Sequence, residues 1–235
     1  MSAMRLDKYV CLYTDLSRKE AKATIRKGLV TVEGQNQVHE TDKISDQKVW
    51  VDGRLLVAKE HIYLMLNKPA GIVSATRDDR DTTVVDIIDC GKRDIFPIGR
   101  LDKDTEGLLL LTDDGGLAHR LTSPRYHVPK CYLVQYEGTL VKNAGEILAE
   151  GIDIGEREKT LPAQWEELQD GLAKLTISEG KYHQVKRMIA RLGGRVTRLR
   201  RLTMGPIALD HSLQPGAYRE LSEKEVQLLR EAAVK

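Results

Sequence analysis

The chain has 235 residues, of which 37 are Lys or Arg and 35 are Asp or Glu, for a net charge of +2. That length suits one large domain, or a large domain with a small one, and 41% hydrophobic residues are enough to build a core. No apolar run approaches the 18 or so residues that a membrane span needs, and Met1 to Val10 contains no apolar signal region. Three widely spaced cysteines, Cys11, Cys90 and Cys131, fit a reducing compartment and suggest neither a disulfide framework nor a zinc cage. A cytoplasmic protein without membrane association is expected.

The bulk charge names no partner, but its distribution does. Residues 1–30 hold seven Lys or Arg against three acids, residues 31–60 reverse the sign with four against six, and residues 181–204 hold eight basic residues and no acid. Two basic islands on a balanced chain have the electrostatic pattern of a polyanion site. In chain order, Leu6, Tyr9, Val10 and Tyr13 form one stripe of a helix over 5–13. A second helix starts at Ser17, where Glu20 completes a capping box, and stops at Gly28. Arg18, Lys22 and Arg26 recur every four residues on one face of it, widened by Lys19 and Lys27. Strands are predicted at 29–32 and 49–51, closing a small unit of about 50 residues, at the lower edge of what folds alone.

A second unit is predicted from His61, giving domains 1–60 and 61–235. Tyr63 to Leu66 and Leu108 to Leu111 are short apolar runs bounded by turn residues, which predicts buried strands. Tyr132, Val134 and Tyr136 alternate with polar neighbours, as do Ala173, Leu175 and Ile177; these read as half-buried strands of an antiparallel or mixed sheet. Val185, Met188, Ile189 and Leu192 mark a helix over 183–192, stopped by Gly193. A last helix starts at Ser222, with Glu225 in its capping box. Strands and helices do not alternate regularly, so the fold class is α+β.

The segment Gly99-Arg100-Leu101-Asp102-Lys103-Asp104-Thr105-Glu106-Gly107 is the most unusual in the chain. It is a carboxylate-dense polar loop running into an apolar strand, where restricted solvation and a neighbouring cation can tune a carboxylate. Arg100 is the candidate cation close by in sequence. The acids also mimic an EF-hand spacing, but an apolar strand occupies the second half of that pattern, so calcium binding is not expected. His183 opens the basic helix, where a cap or an RNA contact is expected of it. His127 and Cys131 lack the further ligands of a metal site. No nucleotide-binding glycine loop occurs, so the expected reaction needs no cofactor and no metal.

Four ordered blocks, "LNKPAG" at 66–71, "GRLDKDTEGLLLLTDDG" at 99–115, "HRLTSPRYHVPKCYLV" at 119–134 and "SEGKYHQVKRM" at 178–188, resemble those of the pseudouridine synthases of the ribosomal RsuA type. "MRLDKYV" and "SRKEAKATIRKGLVTVEG" are similar to an S4-type RNA-binding domain. The resemblance implies a small N-terminal S4-like domain followed by a catalytic domain on a mixed, largely antiparallel sheet. It implies Asp102 as the catalytic aspartate, Tyr132 as an active-site aromatic against the extruded base, Lys186 as its basic partner, and Arg100 as a residue that holds or displaces the nucleotide. Arg5, Arg18, Lys19, Lys22, Arg26, Lys27, His183 and Arg187 are the candidate RNA contacts. The implied reaction isomerises uridine, so nothing is added. The implied substrate is ribosomal RNA, with 16S RNA or the assembling small subunit favoured over 23S RNA. No long exposed heptad or apolar seam appears in the sequence, so a monomer is expected. A non-catalytic RNA-binding assembly factor and a base-excising glycosylase are the competing readings.

Overall fold

The computed structural model describes residues 4–14, 16–56, 61–88 and 94–234. The described residues form two compact units, one up to His61 and one comprising Ile62–Ile88 and the chain from Ile95 onward. Cys90 lies outside the described residues. No described helix is long and apolar enough to cross a membrane.

The first unit contains β1 (Met4–Arg5), α1 (Leu6–Tyr13), α2 (Arg18–Arg26), β2 (Val30–Val32), β3 (Lys43–Ile44), β4 (Val49–Val51) and β5 (Arg54–Leu56). The capping box at Ser17 forms as its sequence requires: Ser17 Oγ accepts from Glu20 N at 3.3 Å and Glu20 Oε2 accepts from Ser17 N at 2.8 Å. Leu6, Val10, Ala21, Ile25, Val30 and Val49 close a small core. The basic residues meant for RNA are partly occupied. Asp7 is fully buried, and its carboxylate takes Arg5 Nε and Nη2 at 3.0 Å each, Arg18 Nε at 3.4 Å and Lys22 Nζ at 3.9 Å. Arg26 pairs with Glu40, whereas Lys19 and Lys27 are exposed. Three cations on one carboxylate leave positive charge over, so the face stays basic with its side chains held in place.

The second unit contains β6 (Tyr63–Lys68), β7 (Phe96–Pro97), β8 (Glu106–Thr112), α3 (Gly115–Thr122), β9 (Lys130–Glu137), α4 (Ala144–Glu150), β10 (Gln164–Gln169), β11 (Leu172–Ile177), α5 (Gln184–Arg191), β12 (Arg195–Met204), β13 (Ile207–Ala208), β14 (Tyr218–Glu220) and α6 (Glu223–Ala232). Its nine-stranded sheet has the order β10-β11-β9-β12-β8-β6-β14, with β13 on β12 and β7 on β8. Every pairing is antiparallel except β12 with β8. Met65, Leu108 and Leu110 on one face meet Leu117 and Leu121 of α3 and Leu229 of α6 in a single core. At the one parallel junction Gly107 has φ +98°, and a Cβ there would lie 2.3 Å from Arg201 O, so only glycine fits.

Two charged segments singled out in the sequence are divided by the fold. The basic island at 181–204 is not one surface face. It is split between α5 and β12, with Arg201 buried, Arg195 paired to Glu137 and Arg198 to Glu106. The acids of the EF-hand-like spacing diverge: Glu106 faces Arg198 and Asp113 accepts from the backbone of Ile62.

Candidate active site

The loop 99–105 joins β7 to β8, and β6 determines its shape. Antiparallel pairing sets Lys68 opposite Gly107, which brings the end of β6 under the loop. The Lys68 ammonium, fully buried, donates to the carbonyls of Thr105 (2.8 Å), Pro69 (3.1 Å), Asp102 (3.1 Å) and Lys103 (3.3 Å). Burial pushes its pKa down to about 8, against the pull of Asp104, Asp102 and Glu106. Ser74 Oγ fixes Leu101 from the other side, accepting from its N at 3.1 Å and donating to its O at 2.9 Å. With the backbone of Asp102 held by Lys68, its side chain is left free to face a pocket.

Lys186, on the first turns of α5, meets that carboxylate. Its Nζ lies 3.0 Å from Asp102 Oδ2 and 2.6 Å from Asp104 Oδ1. Burial opposes its charge, but the bonds to Asp104 and Asp102 outweigh burial and hold the ammonium above the usual lysine range. Asp104 is desolvated too, yet Lys186 keeps its carboxyl below the usual range. His183 precedes α5 in the left-handed region at φ +47° and makes no side-chain cap. Its Nε2 instead lies 3.5 Å from Asp102 Oδ1, and Tyr182, 73% exposed, stacks on its ring at 3.9 Å between centroids.

Asp102, Tyr182, His183 and Lys186 line one pocket of about 450 Å³ together with Arg100 and Tyr132. Tyr132 is 7% exposed and sits on β9, in register with Leu175 of β11 and Arg201 of β12. All four residues expected to be catalytic therefore meet in one cavity. Lys186 is the partner of Asp102 that the resemblance implies, whereas Arg100, the candidate cation nearest in the chain, is not paired with it. Arg100 lines the pocket, but the ion-pair partners of Asp102 among the described residues are Lys186 and His183. The cap expected of His183 is not made either. Arg187 does not line the pocket: Nη1 binds Glu156 at 2.7 Å and Nη2 donates to Ile154 O, so it braces a neighbouring loop.

Three further pocket or loop residues were missed in the sequence: Lys68, Lys130 and Arg201. Lys130 is two residues before Tyr132 on an alternating strand, which places both on one face; that signal was available. Lys68 and Arg201 gave none, because a lysine ending a buried strand and an arginine among seven other basic residues both read as surface charge. No group of three or more His, Cys, Asp or Glu among the described residues could hold a metal ion.

A family model described as RNA pseudouridylate synthase matches residues 62–191. The chain is 46% identical over 236 residues to "Uncharacterized RNA pseudouridine synthase YtzG" of Bacillus subtilis, covering 97% of this chain and 99% of that protein. It is 42% identical over 228 residues to "Ribosomal small subunit pseudouridine synthase A" of Escherichia coli K12, covering 95% and 98%. A solved structure titled "Crystal structure of pseudouridylate synthase" superposes with a TM-score of 0.69 at 42% identity, covering 96% of this chain and 99% of the other.

Proposed function

The chain belongs to the RNA pseudouridylate synthase family, and on that premise we propose that it isomerises one specific uridine of small-subunit (16S) ribosomal RNA to pseudouridine. The observation that carries this reading is Asp102, whose carboxylate is held at 3.0 Å from Lys186 in a pocket walled by Tyr132. The reaction breaks the N1–C1′ bond of uridine, turns the ring and joins C5 to C1′. One carboxylate assists by attacking covalently or by removing a ribose proton. Lys186, 3.0 Å from the carboxylate, orients Asp102 for either route. Tyr132 packs on the extruded ring, and contacts to phosphate offset the few kcal/mol that unstacking costs.

The N-terminal unit acts in this reading as an S4-like RNA-binding domain, with Lys19 and Lys27 and the Asp7-ordered residues Arg5, Arg18 and Lys22 on phosphates. Its substrate, naked ribosomal RNA or the assembling small subunit, places the protein in the cytoplasm.

Tritium release from 5-tritiated uridine in 16S and 23S transcripts tests the reading. Release from the 16S transcript by the wild type, and none by Asp102→Asn at unchanged RNA affinity, is expected. Release from 23S RNA alone would overturn the substrate. Wild-type-like turnover in Asp102→Asn would overturn the role of the aspartate.

A further inference from the structure

A buried cation, Arg201, and a half-buried one, Lys130, lie in the same pocket, and the arrangement around Asp102 makes no use of them. Lys130 and Arg201 come from neighbouring strands, β9 and β12, and line the cavity together with Tyr132. Arg201 is 2% exposed. Its Nε donates to Leu108 O at 2.7 Å, and its Nη2, buried as well, has no acceptor among the described residues. Lys130 Nζ has a single bond, to Val128 O at 2.7 Å. Glu179 acts on Lys130 through its charge but is engaged elsewhere, accepting from Leu161 N at 2.8 Å and Gln184 Nε2 at 3.0 Å.

A buried charge without a counter-charge is costly, and proteins normally pair it. Here two share one pocket wall, their hydrogen bonds among the described residues go to neutral carbonyls, and the carboxylate of Glu179 acts on Lys130 alone, through its charge and without a bond. Burial, and then the charge of Arg201, push Lys130 down to about 8. An orphaned donor and two cations with no carboxylate bonded to either mean that the ligand brings the missing acceptor and further negative charge.

The lining identifies which part of the ligand does so. Ile98, Ile177, Leu199 and Met204 line the same pocket as the two cations, apolar surface suited to a planar ring with polar edges. A phosphate has other cations available, since Arg100 and Lys181 line the pocket without being buried. The ring is also where charge develops. When N1–C1′ breaks, the bonding pair stays on the ring, and the uracil anion spreads it over N1, O2 and O4. The electron deficiency at C1′ is met by the Asp102 carboxylate or by loss of a ribose proton to it. The pair returns when C5 bonds to C1′, after which C5 releases a proton and N1 takes one up.

We propose that Lys130 and Arg201 form a cationic floor that binds the uracil carbonyl oxygens and stabilises the ring anion between bond cleavage and bond formation. This assignment rests on the isomerase reading above and adds a charge-stabilising element to it, distinct from Asp102 and Lys186. Donors preorganised on developing charge act mainly on the chemical step.

The test uses the full chain and single-turnover kinetics on 16S transcripts made with uridine or with 5-fluorouridine throughout. Fluorine stabilises the ring anion by itself, so the floor matters less. Lys130→Met should lower the rate on uridine RNA about 100-fold, leave RNA affinity and its salt dependence as in the wild type, and lower cleavage of 5-fluorouridine RNA much less. Lys130→Arg should recover part of the rate. Arg201→Lys, which keeps the buried charge, should follow the same pattern, with circular dichroism verifying its fold. An unchanged rate overturns the floor. So does an equal loss on both RNAs, which would indicate a structural role, and so does a loss of affinity with a flatter salt slope, which would indicate a phosphate site. A wild type that turns over neither transcript ends the isomerase reading and the floor with it. A working wild type beside unaffected variants ends the floor alone.

Discussion

Replacing Lys68 with Met should separate the geometry of the active site from the stability of the fold. Methionine keeps the length of the side chain and removes the ammonium that bonds four carbonyls. Two of those acceptors keep another donor, because Asp102 O also accepts from Thr105 N at 3.0 Å and Lys103 O from Gly71 N at 2.7 Å. Pro69 O and Thr105 O lose theirs, at about 1–3 kcal/mol each, or roughly 2–6 kcal/mol together. Against this, the folded state no longer buries a charge whose pKa lies at about 8 instead of 10.5, a relief of about 3 kcal/mol at ~1.36 kcal/mol per unit. The net destabilisation is therefore small, about 0–3 kcal/mol, well below the sum of the lost bonds. The Asp102 loop nevertheless loses the group that holds its backbone, and a shift of about 1 Å in a reacting group costs on the order of 100-fold in rate. Urea denaturation and single-turnover tritium release on the same preparation measure both quantities. A variant with full turnover, or one whose loss of rate matches its unfolded fraction at the assay temperature, would refute the clamp.

Gly107→Ala should cost about 3 kcal/mol or more, because its Cβ meets Arg201 O at 2.3 Å in a left-handed conformation; the melting temperature of the variant measures this. Asp7→Asn leaves Arg5, Arg18 and Lys22 without their shared carboxylate and should destabilise the N-terminal unit by about 3 kcal/mol. Hydrogen exchange of the amides in α1 and α2 should speed up accordingly. Burial raises the Asp7 carboxyl, but Arg5 and Arg18 overcome this and hold it below the usual range. Its contribution is thus present above about pH 4 and lost as the pH falls further. Lys68 and Lys130 behave in the opposite sense. Both sit near 8 when folded against 10.5 when unfolded, so between those values the unfolded chain binds more protons and stability rises with pH. Denaturation midpoints at pH 7.5 and 9.5 should show a smaller rise in Lys68→Met and Lys130→Met than in the wild type.

The parts of the fold that can be read in the sequence are those governed by neighbours along the chain. The capping boxes at Ser17 and Ser222 form as expected and start α2 and α6 at the expected residues. The apolar runs become β6 and β8, each a little longer than its hydrophobic stretch because Lys68 and Thr112 are buried as well. The ten-residue strand β12 was hidden. Its sequence is dominated by arginines, and register shifts on either side of Arg198–Arg201 break the two-residue period that would identify a strand. The short helices α3 and α4 were missed because Asp113 to Gly116 reads as a turn and 144–150 is too short for a clear stripe. At the site, the loop stood out by composition, but its cation was named only by the family resemblance, as Lys186. Proximity in the chain favoured Arg100, whereas the pairing of β12 with β8 and the packing of α5 on β12 bring Lys186 to Asp102.

The cations of this chain divide by depth in the fold. Lysines and arginines look alike in a sequence, but depth in the fold gives them separate tasks. Exposed cations such as Lys19 and Lys27 are screened by salt and suit a phosphate backbone. Lys186, half-buried between two carboxylates, is spent on orienting Asp102. Lys68, with no solvent contact, acts only on backbone carbonyls and fixes where Asp102 sits. Lys68 thus positions Asp102 through the carbonyl behind it and leaves the side chain alone, Lys186 pairs with the carboxylate itself, and that is the division between the two.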